Sequence, residues 1–402
     1  MKIDWLKPLI GHDGPFTSVY IDATRADEAG EREVENRWKG LRRILEREGA
    51  PEAILEEIGE RLARPTHVAG PHGRFVVAAH GEIVLDKLLS NPPVRESASH
   101  GPLPCLLPAA HAADQSVARL VVEVNREGAD LTYVESARAL GGSLEKIRTA
   151  VSGGHDVISK AHAGGWSHRR FESRAEDSWE RNAEAVAAEI DSVVIESTPE
   201  VVILTGDVRA VALVRGALAK RSADLAIEVP GGSRNDGVKD DVFRDRLDEA
   251  LDRFREGRRS VVLDHFRQEH GRDGAATSSL DDVVTVLQRG QVAELIFDES
   301  EAITADRLGD RQLWVGEELL QIGTSRAQLD DIGAGSSARE MTADVALVRA
   351  ALGQDAGITF APAGSVDLPD GVGAVLRWHD QSTPSEGAPS LSSDTERLHD
   401  VG

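Results

Sequence analysis

The chain has 402 residues, with 46 Lys and Arg against 69 Asp and Glu, a formal net charge of −23, 40% hydrophobic and only 4% aromatic residues. Two to four domains with Val, Leu, Ile and Ala cores follow from that length, and the single cysteine, Cys105, excludes a disulfide-stapled scaffold and a Cys-rich zinc site. The opening MKIDWLKPLIGHDGPF has no uninterrupted apolar run and the longest apolar stretches are strand-length, so a cytoplasmic protein without a secretory signal or membrane helix is expected.

The elements read as three α/β units. Phe16-Thr17-Ser18-Val19-Tyr20-Ile21 alternates as a strand ending at Asp22. A charged helical stretch over about 27–63 follows. Its apolar residues Val34, Trp38, Leu41 and Leu45 share one face, and Gly49-Ala50-Pro51 breaks it in two. Strands are expected at 75–79 and 83–88. The segment 91–108 holds five prolines and little periodicity; it reads as a loop or linker, with a first boundary near residue 113.

The second unit opens with strands at 117–124 and 131–136. A long polar, glycine-bearing stretch over 141–171 precedes a helix over 173–195 and the strand Val201-Val202-Ile203-Leu204-Thr205. Gly206-Asp207 then turns the chain into a helix over 208–220, a strand over 225–229 and a Gly-rich loop over 231–237. Such an order describes a mixed α/β sheet with a long insertion. The third unit begins in a charged helix over 239–270. A helix over 279–289, a strand over 292–297, a helix over 338–352 and strands over 357–360 and 372–378 follow. The Ser-, Pro- and Asp-rich residues from 381 onward are expected to be a disordered tail.

The most informative stretch is 158–171, ISKAHAGGWSHRRF, with Lys160, Arg169 and Arg170, the histidines His162 and His168, and no acid. A net charge of −23 opposes long-range attraction to nucleic acid, so any RNA contact needs a local basic patch. Gly164-Gly165 frees the backbone, and Trp166 sets an aromatic ring beside the basic flank. Together they suit phosphate contact and base stacking. An ordinary loop whose Trp packs on its own domain is the plainer alternative. Thr205-Gly206-Asp207 reads as a strand-to-helix turn in which Asp207 caps the helix. Asp22, Asp130 and Asp207 near strand ends leave a carboxylate metal site, and hence a metal-dependent nuclease, as an alternative. No zinc-pair spacing, nucleophile elbow or nucleotide-binding glycine motif occurs.

Gly14-Pro15-Phe16-Thr17-Ser18-Val19-Tyr20-Ile21-Asp22, Arg37-Trp38, the turn Thr205-Gly206-Asp207-Val208-Arg209 and Asp370-Gly371-Val372-Gly373-Ala374-Val375-Leu376-Arg377 together resemble the bacterial relatives of archaeal and eukaryotic class I release factors and Pelota. The likeness is to their actinobacterial branch, in a wider group that includes the hibernation factor Balon. It covers about 14–378. It implies an α/β fold of three tandem domains: 1–113; 114–256, a mixed sheet carrying the basic loop 158–171; and 257–380, similar to the ribosomal-protein L30e-like sandwich, before the tail 381–402. In that family the middle domain places Gly-Gly-Gln in the peptidyl-transferase centre. Here Gly164-Gly165-Trp166-Ser167 stands in that place, and Trp166 replaces the glutamine that helps position water; an indole has a donor and no acceptor.

The resemblance therefore implies a ribosome-binding translation factor of the vacant A site, acting in hibernation or stress without stop-codon reading. Gly164, Gly165 and Trp166 would form its tip, and Lys160, His168, Arg169 and Arg170 would contact RNA. No catalytic residue, metal or cofactor is expected, and elongation factor Tu is an implied partner. A peptidyl-tRNA hydrolase or rescue factor in which another group positions the water is the alternative.

Overall fold

The computed structural model describes residues 6–10, 14–24, 28–66, 71–89, 91–134, 146–152, 167–232, 240–272, 274–303, 307–381 and 383–384, and at 8 and 10 and within 28–31, 146–152, 167–178, 240–241 and 302–303 the backbone alone. The described residues form a mixed α/β protein with four sheets. Its contacts divide it into two compact units, Ser116–Glu256, and Met1–Gln115 together with Gly257–Gly402. No described helix is long and apolar enough to cross a membrane.

The first part of the chain holds α1 (Lys7–Ile10), β1 (Phe16–Asp22), α2 (Glu28–Arg47), α3 (Glu52–Ala63), β2 (Gly73–Ala79), β3 (Glu82–Leu89), β4 (Ser97–Gly101) and α4 (Leu107–Gln115). The strands form an antiparallel sheet in the order β3-β2-β1-β4. Val19 and Ile21 of β1 and Val76 and Ala78 of β2 meet Val34, Leu41 and Leu45 of α2 and Ile54, Leu55, Ile58 and Leu62 of α3. Each fully buried aliphatic side chain of this kind stabilises the fold by roughly 1.5–3 kcal/mol.

The segment expected to be a linker, 91–108, contains β4 and the start of α4. Ser97-Ala98-Ser99-His100-Gly101 shows no apolar alternation, because this edge strand is held to β1 by its backbone ladder. Pro108 lies in the first turn of α4, where a missing N–H costs no helical bond. The first expected boundary, residue 113, falls inside this helix, whose Ala109, Ala110, Ala112 and Ala113 are buried.

The middle unit contains β5 (Arg119–Val124), β6 (Gly128–Val134), β7 (Lys146–Ser152), α5 (Ser167–Ser197), β8 (Val201–Gly206), α6 (Val208–Ala217), α7 (Lys220–Leu225), β9 (Ala226–Glu228) and the beginning of α8 (Asp240–His270). The sheet order is β7-β6-β5-β8-β9, with β5, β8 and β9 parallel and the β5-β6-β7 meander antiparallel. One face packs Leu120, Val122, Leu131 and Leu204 under Val186, Ile190 and Val194 of α5 and Val211 and Val214 of α6. The other packs Val201 and Ile203 against Ala250 and Leu251 of α8. Three expectations change here. The polar stretch 141–171 contains β7, α5 begins at Ser167 rather than at 173, and the helix expected over 208–220 ends at Ala217, before the separate turn α7.

The last part adds β10 (Ala276–Thr277), α9 (Leu280–Gln288), β11 (Val292–Asp298), α10 (Glu299–Ile303), β12 (Gln312–Val315), β13 (Ile322–Gly323), α11 (Arg326–Asp331), β14 (Arg339–Thr342), α12 (Ala343–Gly353), β15 (Gly357–Ala361) and β16 (Val372–Leu376). One sheet has the order β10-β16-β11-β15 and a second the order β13-β12-β14. The acidic segment after β11 therefore holds a small sheet, and residues 339–342, expected to open a helix, form its strand β14. The tail after 384 lies outside the described residues. Helix α4 joins this last part of the chain. His111 meets Phe360 of β15 edge-on at 4.8 Å and pairs with Glu299 of α10 at 3.3 Å, and Arg258 lies 3.5 Å from the Asp114 carboxylate.

Candidate nucleic-acid interface

The carboxyl edge of the middle sheet collects the turn after β5, the end of β7, the start of α6 and the turn after β9. At Gly206 the chain takes φ +121°, and a Cβ there would lie 2.0 Å from the Val124 carbonyl oxygen. Only glycine lets Thr205-Gly206-Asp207 pass so close to the end of β5. Asp207 then accepts hydrogen bonds from the N–H groups of Arg209 and Ala210, at 3.0 and 3.1 Å, and caps α6. This turn is a helix cap, as expected. Thr205 Oγ1 accepts from Gly232 N at 2.9 Å, tying the turn after β9 to the same edge.

Beside the cap, Asn125 Oδ1 accepts from the N–H groups of Glu127 and Gly128, which fixes the turn that carries Arg126. The Arg126 guanidinium lies over the Trp179 ring at 4.6 Å and its Nε is 3.4 Å from Asp207. Such stacking holds a cation against an aromatic face while leaving its remaining donors to solvent. Asn182 of α5 donates to the Arg126 carbonyl at 3.0 Å, and its buried Oδ1 has no hydrogen-bond partner. It lines a recess of about 10 Å³ with Trp179, Arg126 and Arg209, room for one water-sized donor. Val208, 83% exposed, and the exposed Arg209 continue the surface.

Helix α5 relates this edge to the basic segment. Trp179 and Asn182 stand level with the end of β5, and the twelve residues before Trp179 add about 18 Å of helix on its N-terminal side. His168, Arg169 and Arg170 lie in its first turn. Ser152, the last residue of β7, pairs with Gly128 on the same edge. Lys160, His162, Gly164, Gly165 and Trp166 lie outside the described residues. From β7 through that turn the sequence carries Lys146, Arg148, Lys160, Arg169, Arg170 and Arg174 against Asp156 and Glu172, a local excess of positive charge on an acidic protein.

Arg126, Trp179 and Asn182 did not stand out in the sequence, and Arg209 did so only as the end of the turn Thr205-Gly206-Asp207-Val208-Arg209. Their shared sequence signal is position, since each follows a strand end or sits a few turns into the helix after the basic stretch. Of the acids considered for a metal site, Asp207 and Asp22 are otherwise occupied. Asp207 caps α6, and Asp22, in the other unit, accepts from Thr24 N and lies 3.5 Å from Arg37. Asp130 lies within β6, paired with Glu123 and Ala150. Among the described residues no group of three His, Cys, Asp or Glu side chains could hold a metal ion.

Residues 118–272 match the model for bacterial archaeo-eukaryotic release factor family 2. The uncharacterized protein Rv2629 of Mycobacterium tuberculosis is 24% identical over 379 residues, 94% of this chain and 97% of that protein. Among solved structures, S. cerevisiae Dom34, a translation termination-like factor involved in RNA quality control pathways and interacting with Hbs1, is 9% identical with a TM-score of 0.36, over 78% of this chain and 81% of its own. Ribosome-bound archaeal Pelota, from a model with ABCE1, is 13% identical with a TM-score of 0.35, over 94% and 96%.

Proposed function

We propose, from the match of residues 118–272 to bacterial archaeo-eukaryotic release factor family 2, that the chain is a ribosome-associated factor that binds the A site and acts in hibernation or stress. The observation that carries this reading is helix α5, which begins at Ser167 directly after Gly164-Gly165-Trp166 and runs past the sheet edge formed by Arg126, Trp179 and Arg209. A helix of that length is a support for a tip held well away from the sheet. Lys160, His168, Arg169 and Arg170 meet ribosomal RNA phosphates, and Gly164, Gly165 and Trp166 occupy the peptidyl-transferase centre. With an indole where a water-positioning amide would stand, the tip fills the site without hydrolysing the peptidyl-tRNA ester. The stop codon is not read. A translation GTPase of the elongation factor Tu kind is the proposed delivery partner.

Co-sedimentation with vacant ribosomes tests this. The wild type pellets with ribosomes, and Arg169→Glu/Arg170→Glu loses at least tenfold in affinity, since each reversal replaces a phosphate contact by repulsion. Failure of the wild type to pellet, with or without elongation factor Tu, sinks the proposal. Peptide release from a stalled complex, abolished by Trp166→Ala, would replace it by the hydrolase reading.

A further inference from the structure

We propose that the outward face of α2 is a second RNA-docking surface, a stripe of cations that lies along the phosphate backbone of a folded RNA helix. The choice of RNA over other polyanions rests on the ribosome reading above. The stripe itself rests on α2 alone.

Helix α2 carries six basic residues, and they divide into two groups. Arg37 pairs with Glu33, Asp22 and Glu96, and Arg42 pairs with Glu46 and Glu52. Arg32, Lys39, Arg43 and Arg47 are all exposed, and among the described side chains none of the four pairs with a carboxylate. At about 100° per residue these four and Asn36 fall within about 80° of one another, opposite the buried Val34, Leu41 and Leu45. Lys39, Arg43 and Arg47 follow at four-residue steps of about 6 Å, and the stripe from Arg32 to Arg47 is about 22 Å long. Of the acids along it, Glu33 and Glu46 are engaged by Arg37 and Arg42, Glu35 stands at one flank four residues before Lys39, and Glu28 precedes Arg32 by one turn. Among the described side chains the ion pairs of α2 thus fall on the other two arginines, and the stripe holds four cations on a protein of −23.

A second observation points the same way. Gly40 lies in mid-helix between Lys39 and Arg43, and with Arg43, Glu46 and Arg47 it forms a shallow open surface on α2. Glycine is the poorest helix former after proline. Nothing among the described residues calls for it, because a Cβ at this position would meet none of their atoms within 4 Å. A missing side chain in the middle of a cation stripe lets an external backbone approach the helix closely. A-form RNA is recognised through phosphates and 2′-hydroxyls across a wide, shallow groove, a surface that a straight basic helix can follow.

The test is fluorescence anisotropy of the full chain on a 16-base-pair RNA duplex between 50 and 200 mM salt. Arg43→Glu/Arg47→Glu weakens binding at least tenfold and lowers the salt slope by about two. Gly40→Leu, which favours the helix, weakens binding at least threefold with unchanged circular dichroism. Arg221→Glu/Arg253→Glu makes the same change of net charge and stays within twofold of the wild type. The proposal is overturned if the wild type does not bind the duplex at 50 mM salt, or if the Arg43/Arg47 variant binds as the wild type does. It is equally overturned if the same variant loses binding to phosphatidylserine vesicles and not to RNA. Ribosome pelleting separates the two readings. Loss by the Arg43/Arg47 variant but not by the Arg169/Arg170 variant keeps the stripe and removes the loop, and the reverse removes the stripe alone.

Discussion

Gly206 and Asp207 stand side by side at the carboxyl edge of the middle sheet and tolerate substitution differently. A methyl group on Gly206 has to displace the Val124 carbonyl and adopt a positive φ, so Gly206→Ala is expected to cost well over 1 kcal/mol. Asp207→Ala loses the cap of α6 and costs about 1 kcal/mol. Urea unfolding of the two variants should therefore rank them in that order. Gly40 makes the contrasting case. With open space around its absent Cβ, Gly40→Ala is expected to raise stability by about 0.5–1 kcal/mol in the same measurement.

At the scale of elements, α12 is anchored by a side chain that no ion pair accounts for. Arg349, 5% exposed, donates from Nη1 to the carbonyls of Glu318 and Leu319 and from Nη2 to those of Gly316 and Glu317, at 2.7 to 3.3 Å. Burial pushes its guanidinium down to about 10. One planar fork thus closes the loop between β12 and β13. Arg349→Met leaves those carbonyls without donors and is expected to cost about 3 kcal/mol in thermal unfolding, with Arg349→Lys intermediate because an ammonium cannot span them. Elements whose burial is written as periodicity were legible in the sequence. Val34, Trp38, Leu41 and Leu45 announce α2, and Val201-Val202-Ile203-Leu204 announces β8. The strand β4 was not, since it is held by backbone pairing and offers no apolar pattern. Nor was α4 among its prolines, because the partner that buries its alanines, β15, comes some 250 residues later in the chain. The candidate interface was legible as a basic segment. Its Arg126–Trp179 stack depends on two residues far apart in sequence, and no local signal joins them.

Over the whole molecule, the unit made from both ends of the chain is joined in part by groups that titrate. The hydrogen bond with His111 holds the Glu299 carboxyl below its ordinary value, although burial pulls the other way. A depressed carboxylate contributes stability that is complete above its unfolded value and is lost as pH falls through the lowered one. The urea midpoint is therefore expected to fall below about pH 4.5. Glu299→Gln should remove part of that acid slope and lower the urea midpoint at pH 7, where the paired carboxylate's contribution is complete. An unaltered slope would show that other carboxylates govern it.

The same arrangement sets a timetable for synthesis. The middle unit, Ser116–Glu256, is contiguous and can fold as soon as it has been translated, whereas α4 has its docking surface on β15. At ~5–20 residues per second the alanine face of α4 waits on the order of ten seconds or more for that strand to emerge. During that interval α4 is a nascent helix with its apolar face uncovered, the state in which a chaperone would find it.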